Sequence, residues 1–142
     1  MTVEVLIGSW DELGAAASAV RHAVFVVEQG VPVAMALDEM DAVCVHALAR
    51  DGARVLGTGR LLPDGHIGRM AVLRDARGAG VGSALLRALM EQARLRGDQD
   101  VALHAQLGAR AFYRRHGYTP EGEVFMDAGI EHIAMRHRFS PG

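Results

Sequence analysis

Residues 77–83 read RGAGVGS: an arginine, glycine at every second position, then a hydroxyl side chain, ahead of a run with helical periodicity. Such a segment can hold an anion with its main chain. The first turn of a helix carries N–H groups with no internal partner. Glycine reaches unusual dihedrals and lets a phosphate approach without a Cβ in the way. Three alternate glycines would cost stability if nothing needed that approach. Backbone donors across Arg77, Gly78, Ala79, Gly80, Val81, Gly82 and Ser83, with the Arg77 charge beside them, therefore suit a phosphate-bearing ligand.

Two other phosphate loops fit poorly. A P-loop needs Lys-Ser/Thr after its last glycine, but Gly82 is followed by Ser83 and Ala84. A dinucleotide fingerprint needs G-x-G-x-x-G directly after the first strand. Here Gly78, Gly80 and Gly82 are spaced G-x-G-x-G, several residues beyond the preceding strand. Asp98 and Asp100 come before a strand rather than at its end, where a ribose would bind.

The loop must be held between regular elements. Residues 3–7 suit a first strand, and Ser9 with Glu12 fits a capping box. A helical region then runs to about residue 28, in two pieces given Gly14. Residues 29–41 hold Gly30 and Pro32 and read as a loop. Strands follow at 43–50, 54–62 and 66–73, separated by turn signals at Asp51-Gly52 and at residues 63–65. Residues 80–96 form an amphipathic helix, with Arg87 and Glu91 as an i,i+4 pair and Gly97 as its stop. A strand at 101–105 completes a β-α-β unit with the strand at 66, parallel and right-handed. Residues 107–116 read as a short helix capped by Gly117, and 130–138 as a last strand across a hairpin at 127–129. The fold class is α+β, a mixed central β-sheet flanked by helices.

Composition narrows the rest. At 142 residues and half hydrophobic, the chain is expected to form a single domain, 1–142, with a real core. A net charge of −2 gives no reason to expect nucleic acid as a partner. No apolar run approaches the roughly 20 residues that span a bilayer, and no secretion signal opens the chain. The lone Cys44 reads as a small core residue in a reducing, cytoplasmic setting. The histidines at 46, 66, 104 and 132 lie on different strands without ligand spacing, so no metal is expected.

Residues 77–82, R-x-x-G-x-G, resemble the acetyl-coenzyme A loop of the GCN5-related N-acetyltransferases (GNAT). The resemblance extends to Met70-Ala-Val72 before it, and to QLGARAFYRRHGY at 106–118. Further segments at 24–30, 37–41 and 127–135, with His46, resemble the small ElaA-like branch. Arg74 stands where many relatives carry proline. The resemblance implies acetyl-coenzyme A (acetyl-CoA) as co-substrate, a small-molecule or peptide amine as acceptor, and a homodimer as in many relatives. It also implies that backbone groups of Met70 and Val72 meet the pantetheine arm, where the sheet opens beside their strand. An amide near Ala71 or Val72 would then steady the oxyanion. A non-catalytic acyl-CoA sensor is the competing function, and a dinucleotide oxidoreductase a more distant one.

The resemblance makes Tyr113 the acid that protonates the departing thiolate. On one continuous helix Gln106, Arg110 and Tyr113 would share a face, so one ligand could touch Gln106 and Tyr113 together. Glu28, where a helix meets the loop bordering the acceptor site, is one candidate base, and His104 is the second. His132 is placed to line the acceptor pocket. Asp38, Glu39 and Asp41 form an acidic cluster that reads first as a solvated loop, and otherwise as a lure for a cationic amine.

Overall fold

The computed structural model describes residues 2–140. Strand β1 (Glu4–Gly8) leads into helix α1 (Trp10–Arg21), whose capping box is formed as expected. The Ser9 hydroxyl accepts from the Glu12 N–H at 3.3 Å, and the Glu12 carboxylate accepts from the Ser9 N–H at 2.9 Å. The helix does not break at Gly14. A Cβ there would stand 2.8 Å from the Trp10 ring, so this glycine lets the indole fold back over its own helix. The change comes later, where α1 widens into a π-helical turn over His22–Glu28.

Residues 29–41 are more ordered than a loop. They hold a short helix α2 (Val33–Ala36), and a 3-10 turn follows over Glu39–Val43, capped by the Asp38 side chain. Strands β2 (Val45–Asp51), β3 (Arg54–Leu61) and β4 (Ile67–Val72) then form an antiparallel meander, giving one sheet in the order β1-β2-β3-β4. Helix α3 (Val81–Leu95) lies across it and buries Val81, Leu85, Leu86, Leu89 and Ala93. Gly57 and Gly59 on β3 permit this contact, since a Cβ at either would come within 3.0 Å of Leu85 or Leu89. The expected Arg87–Glu91 pair gives way to Glu91–Arg94, at i,i+3.

The second sheet contains β5 (Asp100–Gln106), β6 (Thr119–Asp127) and β7 (Ile130–Arg138), in the order β5-β7-β6. The hairpin at 127–129 is as expected, with Ala128 and Gly129 both left-handed. Between β5 and β6 the expected single helix is two pieces, a 3-10 turn over Leu107–Ala109 and helix α4 (Arg110–Arg115). The parallel β-α-β unit is present only in outline. β4 and β5 share one parallel bridge, His66 with Ala102, and then part. The mixed sheet is therefore two halves joined at one end. Among the described residues no helix is long and apolar enough to cross a membrane.

Candidate active site

The parting of the sheets has a local cause in β4. β3 and β4 pair Thr58 with Ala71 but Arg60 with Gly68, so two residues of β4 face one of β3. Arg69 takes up the extra length with φ +49°, and the Met70 side chain fills the space that a Cβ on Gly59 would need. Such a bulge bends a strand and ends its pairing, often beside an active site. Past the bulge, the Leu73 N–H donates to the Leu56 carbonyl of β3. By strand alternation Ala71 also turns its polar groups to β3, while those of Met70 and Val72 face the opening. Of the three backbone positions expected at the ligand, Ala71 is thus committed to the ladder. The Val72 carbonyl is also taken, accepting from Arg77 Nε at 3.0 Å, which leaves the Val72 N–H on the open side.

The glycine loop closes the same opening. After a 3-10 turn over Arg74–Ala76, Gly78 (φ +81°) and Gly80 (φ +82°) are left-handed, and α3 starts at Val81. A Cβ at either glycine would meet nothing within 4 Å, so the main chain faces open space there. Gly82 lies against the Phe112 ring, 3.4 Å from where its Cβ would stand. Ser83 Oγ is 2.9 Å from His116 Nε2. A groove of about 510 Å³ runs from this loop along Met70 and Val72 to Phe112 and Tyr113.

Arg77 does not point a free charge at the groove. Its two terminal nitrogens each donate at 2.6 Å to the Glu28 carboxylate. The hydrogen bonds from Arg77 pull the Glu28 pKa below its ordinary value, and the same pair raises that of Arg77. Glu28 is therefore a held carboxylate beside the loop, outside the second cavity, and poorly disposed to take a proton from an amine.

That second cavity, about 430 Å³, is lined by the first part of β4, Ile67 to Met70, and contains His66, His104, His132, Gln106, Arg60 and Arg69 in its wall. Four residues belong to both spaces: Gln29, Met70, Ala109 and Tyr113. Tyr113 is 8% exposed, and burial pushes its hydroxyl up to about 12, so it stays protonated across the working range. Gln106, expected on the cofactor side, stands in the wall of the second cavity, and its partner Gln29 lines both spaces. As the last residue of β5 Gln106 shares no helix face with Tyr113, and its amide exchanges hydrogen bonds with Gln29 at 3.0 and 3.2 Å.

His104 is exposed and packs edge-on against Phe125 and His66. Burial of its ring first, then the neighbouring His66, lowers its pKa, so it is neutral near pH 7. His132 Nδ1 lies 2.7 Å from the Ile130 carbonyl, which can only accept, so that nitrogen carries a hydrogen and Nε2 is the ring nitrogen left for a ligand.

The acidic cluster is the largest departure from expectation. Asp41 is 2% exposed, and only Glu39 remains free in solvent. The Asp41 carboxylate accepts two hydrogen bonds from Arg21, at 2.8 and 2.9 Å, and one from Arg60 at 2.9 Å. Asp38 accepts two from Arg60 and one from Arg69. Arg21 also lies over the Trp10 ring, and His46, fully buried, is bonded to the Asp41 carbonyl. Sequence reasoning missed this network and with it Arg60 and Arg69. The available signal was Arg60 itself, a charge inside an otherwise apolar strand, which demands a buried partner.

The fold has solved counterparts. An acyl-CoA N-acyltransferase from Pseudomonas aeruginosa matches with a TM-score of 0.83 and 34% identity, over 96% of this chain and 99% of that one. Escherichia coli ElaA matches with a TM-score of 0.85 and 30% identity, over 96% and 100%. This is the acyl-CoA N-acyltransferase fold. In sequence, the acetyltransferase (GNAT) domain family matches residues 15–139. The uncharacterized N-acetyltransferase YjcF of Bacillus subtilis is 40% identical over 120 residues, 82% of this chain and 86% of that protein. The chain belongs to the GNAT acetyltransferase family and is an acyltransferase.

Proposed function

We propose that the protein moves the acetyl group of acetyl-CoA to a small amine by direct attack within one ternary complex. One observation carries this reading: two cavities lined by successive parts of β4 meet at Tyr113, Met70, Ala109 and Gln29. The first has the main-chain cradle for a diphosphate. The open space over Gly78 and Gly80 fits that group, because a side chain there would occupy it. Acetyl-CoA bound in the groove supplies an activated acyl carbon at the junction.

The chain's own groups then do three things. They hold amine and thioester together, the largest contribution to rate. The Val72 N–H donates to the carbonyl oxygen as charge builds on it. Tyr113 Oη–H donates its proton to the departing sulfur as the C–S bond breaks and the C–N bond forms, and solvent returns that proton. The proton lost by the amine passes to a ring nitrogen in the acceptor cavity, that of His104 or His132 Nε2. Glu28 serves instead as the tether of Arg77, which keeps the loop closed on the end of β4.

Thiol release from acetyl-CoA over an amine panel tests the reading. Tyr113→Phe should lower kcat by about 10²-fold or more while acetyl-CoA affinity stays within about twofold. A ternary complex gives intersecting initial-velocity lines. A protein that binds acetyl-CoA tightly but consumes it with no amine is instead a sensor.

A further inference from the structure

The acceptor cavity has a surplus of positive charge. Arg60 and Arg69 stand in its wall with three histidines, and among the described residues no carboxylate lines it. The acids nearby are already engaged. Three guanidiniums, of Arg21, Arg60 and Arg69, share the two carboxylates of Asp38 and Asp41. Arg21 and Arg60 take the short contacts, 2.6 to 2.9 Å. Arg69 is left with a single contact at 3.3 Å, and its Nε is buried with no partner. Burial first, then repulsion from Arg60, presses its pKa below the ordinary value, yet an arginine at that level keeps its charge. A partly buried, under-paired guanidinium gains from an incoming oxyanion. Its place in the bulge, at φ +49°, sets it in the cavity wall directly before the junction residue Met70. Among the described residues one acid, Asp127 of the β6–β7 hairpin, lines the adjoining recess together with Arg69, and the two form no ion pair, so Arg69 stays under-paired.

We propose that the acceptor is a small amine that also carries an oxyanion, a carboxylate or a phosphate, and that Arg69 binds that group and sets which amines are acetylated. The inference rests on the transferase reading above. It replaces attraction of a cationic amine by the acidic cluster, because the carboxylates of Asp38 and Asp41 are neutralised by arginines.

Matched acceptors test it. kcat/KM is measured for β-alanine and L-methionine against their amides, for phosphoethanolamine against ethanolamine, and for spermidine. The anionic member of at least one pair should exceed its neutral partner by tenfold or more, and the two kinds of pair separate carboxylate from phosphate. In Arg69→Gln that ratio should fall to within about twofold, while Arg69→Lys should restore most of it. The ratio is independent of the fraction of enzyme folded, so a general loss of stability cannot mimic this result. Preference for neutral amines or spermidine, or a ratio that survives Arg69→Gln, overturns the proposal and leaves the transferase reading intact. A panel in which no amine consumes acetyl-CoA, although acetyl-CoA binds, overturns both.

Discussion

The groove and the acceptor cavity adjoin along one strand but are built in different ways. The groove is made of main chain: a bulge, the unpaired edge of β4, two left-handed glycines and the first turn of α3. The acceptor cavity is made of side chains drawn from several parts of the chain, with Arg60 from β3, Arg69 from β4, His104 and Gln106 from β5, and His132 from β7. Backbone geometry suits a co-substrate whose diphosphate and amides are always the same. Side chains suit an acceptor, which differs from one enzyme of a fold to another. The two regions should therefore fail differently when disturbed.

The largest effect should come from the charge network behind the acceptor cavity. Asp41→Ala leaves Arg21 and Arg60 buried without their shared carboxylate, a loss of about 3–5 kcal/mol. The melting temperature should drop by on the order of 10 °C, and the acetyl-CoA groove should suffer only through general instability. A drop of under about 2 °C would show that Asp41 does not support the cavity. Acid should dissolve the same network. The hydrogen bonds from Arg60 hold the Asp38 carboxyl at about 2, and the Asp41 value is also lowered, Arg21 and Arg60 outweighing the opposing effect of burial. Carboxyls lowered by folding stabilise fully above their unfolded values near pH 4. That contribution fades as pH falls through 4 toward 2. The wild-type melting temperature should decline over that interval, and Asp41→Ala should decline less.

This division also explains what the sequence made legible. The glycine loop, the capping box at Ser9 and the hairpin at 127–129 are local, and their dihedral demands are written in consecutive residues. The motif around Tyr113 named a residue that the structure places where groove and cavity meet. The acidic cluster was misread because Asp38 and Asp41 find their partners 19 to 31 residues away along the chain, and no local pattern shows that pairing. The shared helix face of Gln106 and Tyr113 failed for a related reason: Gln106 ends a strand. Glu28 was read by its place at a helix end, and its contact with Arg77, 49 residues away, has no local signature.

A smaller and purely local effect should mark the groove. Gly80→Ala forces a Cβ into the left-handed region, at a cost of about 1–2 kcal/mol, and puts a methyl where the diphosphate would lie. Acetyl-CoA affinity should fall roughly tenfold or more. Gly97→Ala provides the contrast. It is left-handed too, at φ +97°, but lies past the end of α3 and outside the groove. It should lose similar stability and no affinity. Equal losses of affinity in both variants would mean that the loop acts only through folding.

The smallest effect separates the two readings of Glu28. As a general base it would be needed in every turnover, and Glu28→Gln would cut kcat by 10²-fold or more. As a tether it acts only through Arg77, across a partly exposed ion pair worth about 1 kcal/mol or less. The amide can still accept from one Arg77 nitrogen, and Arg77 Nε still reaches the Val72 carbonyl. Glu28→Gln should therefore raise the KM for acetyl-CoA by roughly two- to fivefold with kcat nearly unchanged. Loss of the Glu28 charge leaves Arg77 uncompensated beside the groove under either reading, so the KM effect should shrink at low salt in both. The kcat separates them: a carboxylate that takes part in the chemistry costs turnover at every salt concentration, and a tether does not.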